Sequence, residues 1–189
     1  VYLGACHKWR CTPKGAGFAY VRPDAQDRVA EHLAIPRGWI DARTHQRTEA
    51  YPNGDSIYVN LFQYQGTSEP SAYLSVPAAI DFMQSHDWEA QRARCHELAR
   101  QTRLRVNELT GLPPVSPDST DYYSMMASFY IPKEIQTKLS EELTRRNIVF
   151  VMLERNNHLL MRISYQAYNS QDDADRLIET IEDVIKGKV

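Results

Sequence analysis

The 189 residues predict an α/β chain in two parts, and three observations carry that expectation. An amphipathic pattern over residues 87–110 reads as one long helix. A stretch rich in Pro, Ser and Asp follows at 112–121. Beyond it, short strand and helix patterns alternate to the end, as in a compact α+β unit with helices on one face of a mostly antiparallel sheet. The boundary is therefore placed at 111/112. Residues 1–111 form one domain, and residues 112–189 form a small C-terminal α+β domain.

The elements follow in order. Residues 1–6 read as a short buried strand, and 17–22 as a second, entered through Gly15 and Gly17. Residues 24–33 suit a short helix capped by Asp24. The connection over 34–69 is long, with a weakly strand-like run at 57–62. Residues 71–84 are helical in pattern around Pro77. Either the helix starts at Ser75 with proline in its first turn, or it starts near Ser71 and kinks.

In the long helix, Trp88, Cys95, Leu98, Thr102, Val106 and Leu109 line one face, and Gly111 then Pro113 stop it. Its charged run from Arg92 to Arg105, like Glu179 to Asp183 later, reads as a solvated face. After 112–121, read as a hinge or linker, 124–131 is a strand. Residues 133–146 are a helix burying Ile135, Leu139 and Leu143. Strands 148–153 and 158–164 are joined by a turn through Asn156 and Asn157. The last helix, 170–185, opens on Ser170 and Asp173 at capping-box spacing, with Ala174, Leu177, Ile178, Ile181 and Ile185 on its buried stripe.

Composition is that of an ordinary globular chain: 42% hydrophobic, 24% charged, net charge −2. Neither nucleic acid nor an anionic membrane is an expected partner. The chain begins Val1-Tyr2-Leu3 without a signal-peptide pattern. Three cysteines without disulfide-like spacing suit a reducing cytoplasm, and no zinc-finger spacing surrounds Cys6 and Cys11. Cys95, on the apolar helix stripe, reads as inert core. Tyr122, Tyr123, Met125 and Met126 read as core or interface.

Two cations stand out chemically. Lys8 follows an apolar strand and precedes a Pro/Gly loop. A lysine buried at a strand end can lose its charge and act as an amine nucleophile. Arg162 lies in Leu160-Met161-Arg162-Ile163-Ser164, where alternation puts Met161 and Ile163 on one face and Arg162 with Leu160 and Ser164 on the other. Such an arginine needs a partner, either a bound carboxylate or an internal salt bridge.

These residues carry a resemblance. His7, Lys8, Pro13, Lys14, Gly15 and Gly17 resemble the cofactor-lysine segment of the class V aminotransferase family, and most of all its branch of isopenicillin N epimerases and their relatives. Gln65-Gly66-Thr67 before a helix, and Arg162-Ile163-Ser164 with Ala167-Tyr168-Asn169-Ser170, Asp173 and Asp175-Arg176-Leu177, resemble two further signatures of that family. The resemblance runs from Val1 to about Ile185.

It implies the C-terminal part of a fold type I large domain followed by the small C-terminal domain, and pyridoxal 5'-phosphate as cofactor. Lys8 would bond to the cofactor and later move a proton at the substrate's α-carbon. His7, Gly66 and Thr67 would meet the phosphate, Thr67 across a homodimer interface. Arg162 would clamp the carboxylate of a small amino-acid substrate. Ala5 replaces the serine often found three residues before the lysine.

The family's aspartate for the pyridine nitrogen and its ring-stacking residue belong to an N-terminal half of the enzyme, so the 189 residues alone are expected to be inactive. The activity implied is epimerase-like. The alternatives are a cysteine desulfurase or carbon–sulfur lyase, and a non-catalytic dimerising fragment. No cysteine follows Cys95, which disfavours a desulfurase.

Overall fold

The computed structural model describes residues 1–30 and 67–189. The strand-like run at 57–62, Gln65 and Gly66 lie outside the described residues. Contacts divide the chain into two compact units, Val1–Gln84 and Ser85–Val189.

In the first unit, strand β1 (Tyr2–Ala5) leads straight into a single helical turn, α1 (Cys6–Trp9), and strand β2 (Gly17–Tyr20) returns antiparallel to β1. The register pairs Tyr2 with Tyr20 and Ala5 with Gly17. The loop between them needs two unusual backbones. Gly15 sits at φ 104°, open to glycine and strained for other residues. A Cβ on Gly17 would stand 3.0 Å from the Gly4 carbonyl oxygen, so the strands approach too closely for a side chain there.

Burial of β1 is not borne out. Tyr2 is 63% exposed, Leu3 68% and, across the pair, Tyr20 57%. A two-stranded ribbon has two open faces, and only additional layers can cover both.

Next come a 3-10 turn (Pro23–Ala25) and α2 (Gln26–Ala30). Asp24 does not cap this helix. Its carboxylate takes a two-point contact from Arg22, at 3.0 and 2.5 Å. Around Pro77 the pattern resolves into α3 (Ser71–Leu74) and α4 (Val76–Ser85), separated at Ser75. Proline thus falls in the first turn of α4, where its missing N–H costs no helical hydrogen bond.

The second unit opens with α5 (Trp88–Thr110). Asp87 caps its start, accepting from the Ala90 amide at 3.3 Å. Gly111, at φ 67°, ends it by donating to the Asn107 carbonyl. Cys95, Leu98, Ala99, Thr102 and Val106 are buried, and α5 packs on β3 (Met126–Ile131) and on the final helix α7 (Gln171–Ile185). The 111/112 boundary is therefore not where spatial contacts divide the chain.

Residues 112–121 are likewise tied to α5. Arg103, 2% exposed, donates to Ser116 Oγ and the Pro117 carbonyl and lies 4.7 Å from the centre of the Tyr123 ring. Arg100 pairs with Asp118 at 2.8 Å. The charged face of α5 is thus only partly solvated, because two of its arginines hold the following segment.

A 3-10 turn (Lys133–Ile135) leads into α6 (Gln136–Arg145), with Leu139 and Leu143 fully buried. The helix exits through Asn147 at φ 56°, with Ile148 donating back to the Leu143 carbonyl. This is the left-handed helix end that asparagine tolerates. It delays the edge strand β4 to Val151–Arg155. Asn156 and Asn157, both at positive φ, turn the chain into β5 (His158–Ser164), as a two-residue hairpin requires.

The sheet order is β3-β5-β4, all antiparallel. Ala127 and Ile163, Phe129 and Met161, and Ile131 and Leu159 pair along the buried face. The other face carries the pairs Ser128–Arg162 and Tyr130–Leu160. The capping box of α7 is present in both directions between Ser170 and Asp173.

Candidate active site

In the first unit, chain direction places Lys8 inside α1 rather than at the end of β1. Its side chain is exposed and makes no hydrogen bond or ion pair among the described residues. The expected burial of this amine is not present within Val1–Gln84, for the same reason that β1 is open.

The Ala16 carbonyl organises the loop. It accepts from the Cys6 amide at 3.0 Å and from His7 Nδ1 at 2.9 Å. Since a carbonyl only accepts, Nδ1 carries the proton and His7 Nε2 stays available. Beside it is a shallow hollow of about 410 Å³, walled by Ala5, His7 and the backbones of Gly4, Gly15 and Gly17.

Thr67 is exposed ahead of α3. The amide that the sequence offers to an anion at this helix mouth is already taken: Ser71 N donates to Glu69 Oε1 at 2.9 Å. That hydrogen bond holds the Glu69 carboxyl below its ordinary range.

In the second unit, Arg162 sits where the alternation predicts. It projects from the central strand on the face opposite Met161 and Ile163, exposed and with no hydrogen bond or ion pair among the described residues. It lines a cleft of about 530 Å³ between the α6–β4 connection and the β5–α7 loop. Val149, Tyr168, Asn169, Asp173 and Arg176 share that cleft.

The other charged groups there are engaged. Asp173 accepts from the Ser170 amide and from Asn169 Nδ2, which keeps its carboxyl below the ordinary 3.8. Arg176 donates to the Arg146 carbonyl at 2.9 Å. Arg162 is left as an unengaged guanidinium with apolar neighbours, a group suited to a carboxylate.

The sequence did not mark the cleft's other wall. Val149, expected in a strand over 148–153, is 98% exposed and precedes β4. Tyr168 stands in the sequence only as part of a family signature. The usable signal was Asn147, a left-handed helix end that swings 148–150 away from the sheet.

The thiols are placed as follows. Cys6 and Cys95 are buried, and Cys11 is exposed. Partial burial pushes the Cys11 thiol up, away from the thiolate. Among the described residues, no cluster of His, Cys, Asp and Glu could hold a metal ion, and no helix is long and apolar enough to cross a membrane.

Comparison with known proteins agrees with the sequence resemblance. The chain is 30% identical over 187 residues to an isopenicillin N epimerase of Amycolatopsis lactamdurans, covering 98% of this chain and 47% of that protein. It is 25% identical to the isopenicillin N epimerase of Streptomyces clavuligerus, covering 96% and 46%. The chain spans about half the length of the curated relatives it matches. Among solved structures, 8-amino-7-oxononanoate synthase of Francisella tularensis shares the fold, at TM-score 0.53 and 15% identity over 70% of this chain and 38% of that one. The family model for class-V aminotransferases matches residues 1–177, a span that includes both Lys8 and Arg162, and the chain belongs to that family.

Proposed function

We propose that the chain is the C-terminal half of a pyridoxal phosphate enzyme that moves the α-proton of an amino acid, with epimerisation as its reaction. The observation that carries this reading is Arg162. It is an exposed guanidinium, unpaired among the described residues, in a cleft with apolar walls, and it is free to take a carboxylate.

The residues of the first unit suit the cofactor in two respects. The Lys8 amine is accessible and unpaired. The neighbouring hollow, lined by Leu3, Ala5, His7 and Phe18 with Gly4, Gly15 and Gly17, is shallow and open to a ligand. Lys8 would hold the cofactor's aldehyde carbon and His7 its phosphate, while Thr67 would meet the phosphate of the partner subunit's cofactor. His7 Nε2 can donate to that phosphate only as imidazolium, because Nδ1 is committed to Ala16. Gly66 completes the expected phosphate loop.

When bound, pyridoxal phosphate supplies the ring that takes up the electron pair left on the α-carbon. Lys8, once released from the cofactor, would carry the proton to or from one face of that carbon, and Arg162 would hold the carboxylate. The ring-nitrogen partner, the ring-stacking residue and the proton donor on the opposite face are assigned to the remainder of the enzyme. Thr67 is assigned to the partner subunit's cofactor in a cytoplasmic homodimer. A persulfide mechanism is not favoured, since Cys6 and Cys95 are buried and the Cys11 thiol is pushed up.

The test is deuterium wash-in at the α-carbon of candidate amino acids, using the chain at its natural length with added cofactor. Wild type is expected to exchange, and Lys8→Ala to lose about 10²–10⁴-fold in rate. Exchange at the wild-type rate in Lys8→Ala rules the reading out.

A further inference from the structure

The cleft that holds Arg162 also displays an aromatic ring at a cost in exposed apolar surface. Tyr168 is 84% exposed, and its hydroxyl has no partner among the described residues. The backbone that carries this ring is held in place. The Gln166 amide donates to Asn169 Oδ1 at 2.9 Å, and the Asn169 amide to the Gln166 carbonyl at 2.8 Å. Asn169 Nδ2 and the Ser170 amide both donate to Asp173.

From α5, Arg94 reaches across and donates to the two carbonyls that flank Tyr168, Ala167 at 3.0 Å and Asn169 at 2.9 Å. One guanidinium therefore clamps the backbone on both sides of the displayed ring. An aromatic on a pinned backbone gives contact area with little backbone ordering cost.

The rest of the cleft defines what that ring meets. Ile148, Val149 and Val151 offer apolar surface, Asp173 is hydrogen-bonded within its own loop, and Arg176 donates to the Arg146 carbonyl. Arg162 is the cleft's cation without a hydrogen bond or ion pair among the described residues. The matching ligand is a carboxylate attached to a hydrocarbon or aromatic group.

Resting on the carboxylate role of Arg162, we infer that Tyr168 is a specificity-determining residue. Its ring walls the hydrocarbon part of the substrate, and Arg94 is the positioning residue that holds it there. The substrate class is an α-amino acid with an apolar side chain next to its carboxylate-bearing carbon.

The test uses three probes on the chain at its natural length: acetate, 3-phenylpropanoate and 3-phenylpropan-1-ol. Binding is followed through the backbone amide resonances of residues 160–170. The aromatic acid is expected to bind about tenfold more tightly than acetate, and Tyr168→Ala to bring the two within about twofold while Tyr168→Phe keeps the difference. Arg94→Met is expected to shrink the same ratio, and an unshrunk ratio overturns the positioning role of Arg94.

An unaltered ratio in Tyr168→Ala, or no preference in wild type while the acid is still required, overturns the Tyr168 assignment alone. If the alcohol binds as well as the acid, or no carboxylate binds, the Arg162 clamp fails and this inference fails with it.

Discussion

Arg162 owes its place to strand alternation alone. Its neighbours Met161 and Ile163 go into the core, so the guanidinium is turned outward, and no carboxylate among the described residues pairs with it. A lysine at this position would keep the charge and lose the two-pronged fit to a carboxylate. Arg162→Lys in the enzyme is expected to raise KM about tenfold with a smaller effect on kcat, and Arg162→Gln to raise it further. Equal KM values across the three proteins would remove the carboxylate from this site. Among structural residues, Phe129 is fully buried opposite Met161. Phe129→Ala is expected to cost about 3–5 kcal/mol in urea unfolding. Lys8 marks the limit of reading residues in order. The sequence placed it next to a hydrophobic strand, but burial of an amine depends on layers contributed by distant chain, which local pattern does not encode.

At the level of elements, α7 and the β4–β5 hairpin were legible because each is specified locally. Ser170 and Asp173 name the start of the helix, and Asn156-Asn157 names a turn with two positive φ values. Ser170→Ala is expected to lower stability by about 1 kcal/mol, read from the urea midpoint. The role of α5 was less legible. Its arginines look like a solvated run, yet Arg103 is buried under Tyr123 and Arg94 grips the β5–α7 loop. Helical periodicity reports apolar stripes, and a long basic side chain can lie along such a stripe without announcing its acceptor. Arg94→Met is expected to speed hydrogen exchange at the Asn169 amide by about tenfold, with exchange in the middle of α5 unchanged. Unchanged protection at Asn169 would mean that the loop stands without the clamp.

Over the whole molecule, three carboxyls of the second unit give stability a pH dependence of definite sign. Asp118, Asp173 and Asp183 are held below the ordinary 3.8. The causes are, in turn, the Tyr123 hydroxyl, the Ser170 amide and the Arg146 guanidinium. Carboxyls lowered in the folded state stabilise it above their unfolded values and lose that contribution as pH falls, so acid unfolding is expected to set in below about pH 4.

Tyr123 is the opposite case. Burial, then its bond to Asp118, pushes its hydroxyl from 10.0 up to about 12. Its contribution is complete below pH 10 and is lost as pH rises towards 12. Tyr123→Phe is expected to flatten the alkaline fall in the urea midpoint, and also to reduce the part of the acid fall that Asp118 contributes. An identical alkaline limb in the variant would contradict this. The two-unit division was the least legible feature at this scale. A proline-rich stretch signals a break in secondary structure, but whether it separates bodies depends on what grips it, here Arg100 and Arg103.

The account rests on Lys8 being the cofactor's lysine. Its most direct test is to incubate the chain at its natural length with pyridoxal phosphate, reduce with borohydride, digest and locate the pyridoxyl group by mass spectrometry. Lys14, six residues on in the same loop and also exposed, is the internal control. The account predicts label on Lys8 in large excess over Lys14. Label spread evenly over the lysines, or found on Lys14 with Lys8 unmodified, would contradict it.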